Sequence, residues 1–187
     1  MIYGDKIVLG PVERKHLPQM VEYRNDPELQ KYFREYRLLT LEMQTKWWED
    51  KVVNDLSCEY FVIYTRGTEG GDYIIGMTGL TYMHPVNRNG EVAIVIGNED
   101  CRGKGLGQDV LKTLVRHGFL KLNLRRIDAE VYANNLSSVA LFDKVGFQKE
   151  GVLRDRYYCD GKFWDSIMFS MLRNEFDQFY WATESFT

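Results

Sequence analysis

A mixed α/β or α+β sheet within one domain is the fold class this sequence predicts, and three observations predict it. Strand-like segments crowd the middle of the chain, helices and strands alternate after Gly97, and a two-residue hairpin signal stands at Asp160-Gly161. The length, 187 residues, falls within the span of a single domain and can close a sizeable core without disulfide or metal help. Residues 6–172 are read as the core of that domain and residues 173–187 as a C-terminal tail. There is no internal repeat and no low-complexity linker.

Lys6 to Glu13 reads as a first strand. Leu17, Met20 and Val21 then recur at helical spacing and predict a short helix to about Asn25. Asp26-Pro27 restarts the chain, and a second helical stretch runs from Pro27 to about Phe33. Thr40 is the expected N-cap of a third helix, because Glu42 and Met43 bring an acidic first turn and helix formers, with Trp47 and Trp48 inside it. Glu59–Thr65 and Tyr73–Met83 are dense in β-branched and aromatic residues, and Gly67, Gly70, Gly71 and Asp72 between them supply turn chemistry, so the pair predicts a hairpin.

Glu91 to Ile96 is apolar on both alternating faces after its first residue, which predicts a central strand buried on both sides. The pattern breaks from Gly97 to Gly107. Beyond it Leu106, Val110, Leu111, Leu114, Val115, Phe119 and Leu122 trace a helix of nearly five turns. Arg126–Tyr132 alternates, with Ile127, Ala129 and Val131 against Asp128, Glu130 and Tyr132, and predicts a half-buried strand. A further helix carries Ser138, Leu141, Phe142 and Val145 on one face, and strand character resumes at Phe147. Asp160-Gly161 then joins Val152–Tyr158 to Phe163–Leu172, and the tail holds Phe176, Phe179, Tyr180 and Trp181, aromatics suited to covering a homodimer surface.

Composition excludes several classes. Hydrophobic residues at 44% and charged residues at 27% are ordinary globular usage and argue against a disordered or fibrous chain. With 24 Lys+Arg against 27 Asp+Glu the net charge is −3, too little positive field to draw in a phosphate backbone, so the basic stretch Lys121–Arg126 is not read as a nucleic-acid site. Cys58, Cys101 and Cys159 are odd in number and show no CxxC spacing, which points to a reducing cytoplasm. No apolar run approaches the ~20 residues that cross a bilayer. His16, His84 and His117 have no ligand partner at zinc-like spacing, so no metal is expected.

The chemistry is concentrated in Asp100-Cys101-Arg102-Gly103-Lys104-Gly105-Leu106-Gly107, set between the apolar strand and the long helix. Glycines let backbone amides approach a ligand, and the first-turn amides of a helix are unpaired donors at the positive end of a dipole. Arg102 and Lys104 add positive charge, which suits a pyrophosphate. A Walker A loop would need Ser or Thr after Lys104, where Gly105 stands, and a GxGxxG fingerprint from Gly103 would need glycine at Gln108. Neither nucleotide motif fits.

Arg102, Gly105 and Gly107 in the pattern Arg-x-x-Gly-x-Gly resemble the GCN5-related N-acetyltransferases, which hold the acetyl-CoA pyrophosphate on this turn. Asn135-Leu-Ser-Ser138, followed by Val139 to Phe147, is similar to that family's second cofactor segment. Glu150-Gly-Val-Leu-Arg154, the Asp160-Gly161 turn, Asp165 and the opening Lys6–Arg24 resemble the branch that contains ribosomal-protein N-terminal acetyltransferases and spermidine acetyltransferases. The similarity spans about Lys6 to Leu172 and is vaguest over Asn25–Ser57, where the family selects its substrate.

The resemblance implies a mostly antiparallel central sheet flanked by helices. It also implies acetyl-CoA as cosubstrate and direct acetyl transfer to a primary amine of a protein N-terminus, a polyamine or an amino sugar. Its cofactor contacts fall on Arg102, Gly103, Lys104, Gly105, Leu106 and Gly107, on Asn135 and Ser138 for the pantetheine arm, and on Ile94, Val95 and Ile96. A backbone N–H near Ile94 or Val95 is the implied donor to the acetyl carbonyl.

A lysine-like amine with pKa ~10.4 lies roughly 3.4 units, or nearly 5 kcal/mol, from its reactive neutral form at pH 7. Glu91 matches a position where related enzymes often carry an acid, and it is the candidate base, directly or through water; the bland alternative is a solvated strand-end carboxylate. Many members place a tyrosine acid where this chain has Phe142, which leaves Ser138, Tyr132 or water to protonate the leaving thiolate. A thiol pKa near ~8.5 makes that step slower without an acid but not forbidden. The missing tyrosine is also the feature that favours an alternative, a catalytically silent acyl-CoA sensor. Arg24, Arg34 and Arg37, interleaved with Tyr32, Phe33, Tyr36, Trp47 and Trp48, suit an acceptor pocket for an anionic or ring-bearing amine, although core aromatics and solvated arginines explain them as well.

Overall fold

The computed structural model describes residues 1–184, with side chains through Gln178. The strands are β1 (Ile2–Tyr3), β2 (Ile7–Pro11), β3 (Glu59–Thr65), β4 (Gly76–His84), β5 (Asn89–Ile96), β6 (Arg126–Tyr132), β7 (Gln148–Cys159) and β8 (Lys162–Leu172). The helices are α1 (Leu17–Asn25), α2 (Pro27–Gln30), α3 (Leu41–Trp47), α4 (Leu106–Leu120), α5 (Leu136–Val145) and α6 (Arg173–Glu184). The strands form an eight-stranded, mostly antiparallel sheet in the order β1-β2-β3-β4-β5-β6-β8-β7, with a parallel pair at β5–β6. The residues fall into two compact units, 1–81 with 93–114, and 82–92 with the chain from Val115 onward.

In the first unit β1 to β4 pair antiparallel in sequence order, with Leu9 opposite Ile63 and Phe61 opposite Thr78. Val12, Leu17, Met20, Val62, Tyr64, Ile74 and Met77 form its core, and Tyr23, Trp47, Trp48, Tyr60 and Val95 pack against it. Thr40 caps α3 as expected, its hydroxyl oxygen accepting the Met43 N–H at 3.2 Å. The helix runs on through a wider turn at Trp48–Val53. The second helical stretch is only one turn long. Asn25 exchanges two 2.8 Å hydrogen bonds with the Leu39 backbone, and this clasp closes residues 26–38 into a loop rather than a longer helix. The first strand is shorter than expected, ending at Pro11, and β1 precedes it.

One expectation for β5 is overturned. Ala93, Ile94, Val95 and Ile96 are half-buried, not covered on both faces. The registered pairs with β6 involve Asn89, Gly90 and Glu91, the first three of the eight residues of β5. The apolar end of this strand therefore keeps exposed surface, which is unusual for a segment of this composition.

In the second unit the start of β5 pairs with β6, β6 with β8, and β8 with β7, which carries bulges between Lys149 and Gly151 and between Leu153 and Tyr157. Ile127, Ala129 and Val131 are buried as their alternation predicted. Phe142 of α5 lies in the core, 5.0 Å from the Phe147 ring and 5.8 Å from the Phe169 ring. Phe176 of α6 rests 5.2 Å from Phe119. Asp160 and Gly161 adopt φ 51° and 82°, the paired positive values of a type I′ hairpin. The long helix stops at Leu120 rather than Leu122, where Asn123 turns left-handed at φ 54°. The dimer surface expected on Phe179, Tyr180 and Trp181 lies outside the described side chains. Among the described residues no helix is long and apolar enough to cross a membrane.

Candidate functional site

Within the first unit the site residues cluster where β5 gives way to α4. The Tyr23 ring lies so close on Gly97 that a Cβ there would fall inside it. Tyr23 Oη donates to the Ile74 carbonyl at 2.7 Å and accepts from Gln19 Nε2 at 2.8 Å, and burial raises its pKa, so it stays a phenol. After Gly97, Asn98 Oδ1 accepts the Asp100 N–H at 2.8 Å and starts a tight turn over Glu99–Cys101.

Arg102 then folds back on the strand it has just left. Its Nε donates to the Ile96 carbonyl at 3.0 Å, and its Nη2 donates to the Gly97 carbonyl at 2.5 Å and stands 3.5 Å from Asp26 Oδ2. The guanidinium is thus committed to shaping the turn, and Lys104, which is exposed, supplies the available charge.

Gly103 and Gly105 adopt φ +72° and +78°, and a Cβ on either would meet nothing within 4 Å. Glycine is needed for the left-handed backbone, while the space beside it is open to a ligand. Leu106, 8% exposed, anchors the start of α4. The Asp109 N–H reaches the Gly105 carbonyl at 3.4 Å, whereas the N–H groups of Leu106, Gly107 and Gln108 belong to the first turn and have no intrahelical acceptor. Two left-handed glycines, a row of unpaired amides, a helix dipole and an exposed lysine make a cradle that fits a diphosphate. Half-exposed Ile94, Val95 and Ile96 in the same unit offer apolar surface beside that turn.

Within the second unit Glu91 is half-buried and stands opposite Asp128 in the β5–β6 register. Burial raises the Asp128 pKa, against the pull of Arg126, whose Nε lies 2.6 Å from Asp128 Oδ1. Arg126 Nη1 also reaches Glu150 Oε1 at 2.9 Å, and Glu150 accepts from Ser170 Oγ at 2.5 Å. Asp128 was not singled out from the sequence. Its place on the polar phase of β6 was visible, but the register that sets it against Glu91 was not.

Tyr132 stacks on Tyr157 with ring centroids 3.6 Å apart, and Tyr157 Oη donates to Asn134 Oδ1 at 2.5 Å. Asn135 caps α5, its Oδ1 accepting the Ser138 N–H at 3.1 Å and Ser137 Oγ at 2.9 Å. Ser138 itself is half-buried. Phe142 is 3% exposed and belongs to the ring-packed core, so it offers no acidic group to a ligand. Arg102, Gly103, Lys104, Gly105, Leu106, Gly107 and Ile94 to Ile96 thus share one unit, and Glu91, Tyr132, Asn135 and Ser138 share the other.

Comparison with known proteins agrees with this chemistry. Residues 6–148 match the family model described as an acetyltransferase (GNAT) domain. The chain is 32% identical over 181 residues to the uncharacterized N-acetyltransferase p20 of Bacillus licheniformis, covering 94% of this chain and 97% of that protein. It is 26% identical over 171 residues to the spermidine N(1)-acetyltransferase of Escherichia coli K12, covering 91% of this chain and 88% of that one. Among solved structures, spermidine N-acetyltransferase from Vibrio cholerae in complex with CoA and spermine superimposes with a TM-score of 0.83 over 91% of this chain and 98% of its own, at 22% identity.

Proposed function

We propose, for a chain that belongs to the GNAT acetyltransferase family and is an N-acetyltransferase, that it transfers the acetyl group of acetyl-CoA directly to a primary amine, with Glu91 as the base. The observation that carries the reading is the open turn at Gly103 and Gly105 ahead of α4. When bound, acetyl-CoA supplies an activated thioester. Backbone amides from Gly103 to Gly107, with Lys104, bind its diphosphate, and Arg102 holds the turn in shape. Asn135 and Ser138 hold the pantetheine arm. A backbone N–H near Ile94 or Val95 donates to the acetyl oxygen as charge develops on it.

Glu91 takes the proton of the attacking amine, directly or through one water. Tyr132, Ser138 or water returns a proton to the departing thiolate, since Phe142 offers none. No metal takes part. A protein N-terminus, an amino sugar or a polyamine can serve as acceptor, the last by analogy with the spermidine acetyltransferases among its relatives. We place the enzyme in the cytoplasm, and a homodimer through the C-terminal aromatics belongs to the same reading.

A thiol-release assay over a panel of amines tests it. Turnover is expected with at least one class, and Glu91→Gln should lower kcat and move the pH optimum upward. An unchanged pH–rate profile in that variant would remove Glu91 from the base role.

A further inference from the structure

Arg24, on the last turn of α1, has an environment that the reaction above leaves unused. Its neighbours Tyr23 and Asp26 tie this end of α1 to Gly97 and Arg102, so its backbone is firmly placed. The Arg24 guanidinium carbon lies 4.6 Å over the centroid of the Phe33 ring. Its Nε is buried and has no hydrogen-bond partner, and among the described residues Arg24 joins no ion pair. Burial lowers its pKa, with Glu35 and Tyr60 acting in the other direction.

Glu35 does not neutralise it by contact. Both Glu35 oxygens are taken by Arg37, whose Nε and Nη2 lie at 2.8 and 2.7 Å, and this fork holds the Glu35 carboxyl at about 2. Tyr60, meanwhile, packs 4.9 Å from Trp47 and borders the same cluster as Val95. An arginine held on an aromatic ring, with its Nε buried and unbonded, has a donor set that an anion would complete, because guanidinium remains charged at any ordinary pH. Its planar fork matches carboxylate and phosphate alike.

We propose that Arg24 is a specificity-determining residue of the acceptor site: its guanidinium binds a carboxylate or phosphate carried by the amine, so the preferred acceptors are amines bearing an anion rather than polycations. This rests on the acetyltransferase reading and narrows its acceptor. It also sets this chain apart from relatives named for spermidine, which carries no anionic group.

Matched acceptor pairs test it in the thiol-release assay with the full chain: tyramine against tyrosine, glucosamine against glucosamine 6-phosphate, and spermidine alone. The anionic member of at least one pair should have the higher kcat/KM by about tenfold or more, chiefly through a lower KM. The pair that responds separates carboxylate from phosphate recognition. In Arg24→Gln that ratio should collapse towards one, with KM for the anionic member rising more than kcat falls. Arg24→Met should unfold at a higher temperature than the parent, since it removes an unpaired charge from a half-buried site.

Spermidine as the best substrate, a preference that survives Arg24→Gln, or a lower melting temperature for Arg24→Met would each overturn the proposal. So would a panel without turnover, and calorimetry with acetyl-CoA then tells which idea has failed. Bound acetyl-CoA without anion preference sinks the role of Arg24 alone, whereas no binding sinks the acetyltransferase reading with it.

Discussion

The Tyr23 ring occupies the space that a side chain at Gly97 would need, and the Gly97 carbonyl in turn accepts from Arg102. A helix residue, the end of the central strand and the turn ahead of α4 are therefore fixed by one close approach. Gly97→Ala should force the ring or the strand aside and destabilise the protein by about 1–3 kcal/mol, the range for overpacking a tight site. Because Arg102 is anchored there, acetyl-CoA affinity should fall as well. Thermal unfolding and calorimetry on the same variant check both effects, and normal affinity would detach the turn from this contact.

Gly105 and Gly161 provide a controlled comparison. Both have left-handed backbones, φ +78° and +82°, and neither has an atom within 4 Å of where a Cβ would stand. Alanine at either position should therefore bring similar strain, about 1–2 kcal/mol. Only Gly105→Ala should also weaken acetyl-CoA binding, by about tenfold or more, because its methyl group projects into the space assigned to the diphosphate. Equal binding by the two variants would show that the open side of the turn receives no ligand.

Asp109 has a structural role in the first turn of α4. Its carboxylate accepts the N–H groups of Asp5 at 3.0 Å, Lys6 at 2.6 Å and Ile7 at 3.1 Å, pinning the chain as it enters β2. Asp109→Ala should lower stability by about 2 kcal/mol, and Asp109→Asn, which keeps one acceptor oxygen, by less. Urea denaturation at pH 7 separates the two, and identical midpoints for all three proteins would show that these bonds contribute nothing net.

How far the sequence was legible follows from the range of the forces involved. The Asp160-Gly161 turn, the Thr40 cap and the left-handed glycines Gly103 and Gly105 are set by local backbone geometry, and each stands where its neighbours in sequence placed it. Asp109 holding Asp5 and Lys6 joins residues about a hundred positions apart, and no local pattern announces it. The half-exposure of Ala93 to Ile96 was hidden for a related reason: an apolar strand reads alike whether protein or ligand is to cover it. Asp128 became visible only through the register opposite Glu91, and Phe142 only through the rings of Phe147 and Phe169. Arg24, by contrast, lay in an aromatic-rich stretch that suits a core and a ligand site alike, and the missing partner of its Nε is a feature no sequence pattern carries.

His16 should make stability fall on mild acidification. It is fully buried, its Nδ1 accepts the Glu13 N–H at 3.0 Å, and its Nε2 lies 2.9 Å from Tyr64 Oη. With Nδ1 as acceptor, the single proton of the neutral ring sits on Nε2 and is donated to Tyr64. A second proton would break the bond from Glu13 and place a charge in the core, so burial, reinforced by Lys15, holds the His16 pKa below the ordinary histidine value. The unfolded chain takes up a proton near pH 6.5, while the folded chain resists until lower pH. Between those two points the unfolded state binds more protons, so stability drops as pH falls, by at most about 1.4 kcal/mol per pH unit, and levels off below the folded value. Above pH 6.5 the effect is absent. Denaturant titrations from pH 7.5 to 5 should show this loss, and His16→Gln should reduce the slope over that window even if its stability at pH 7.5 is lower. A variant slope equal to that of the parent would assign the acid sensitivity to other groups.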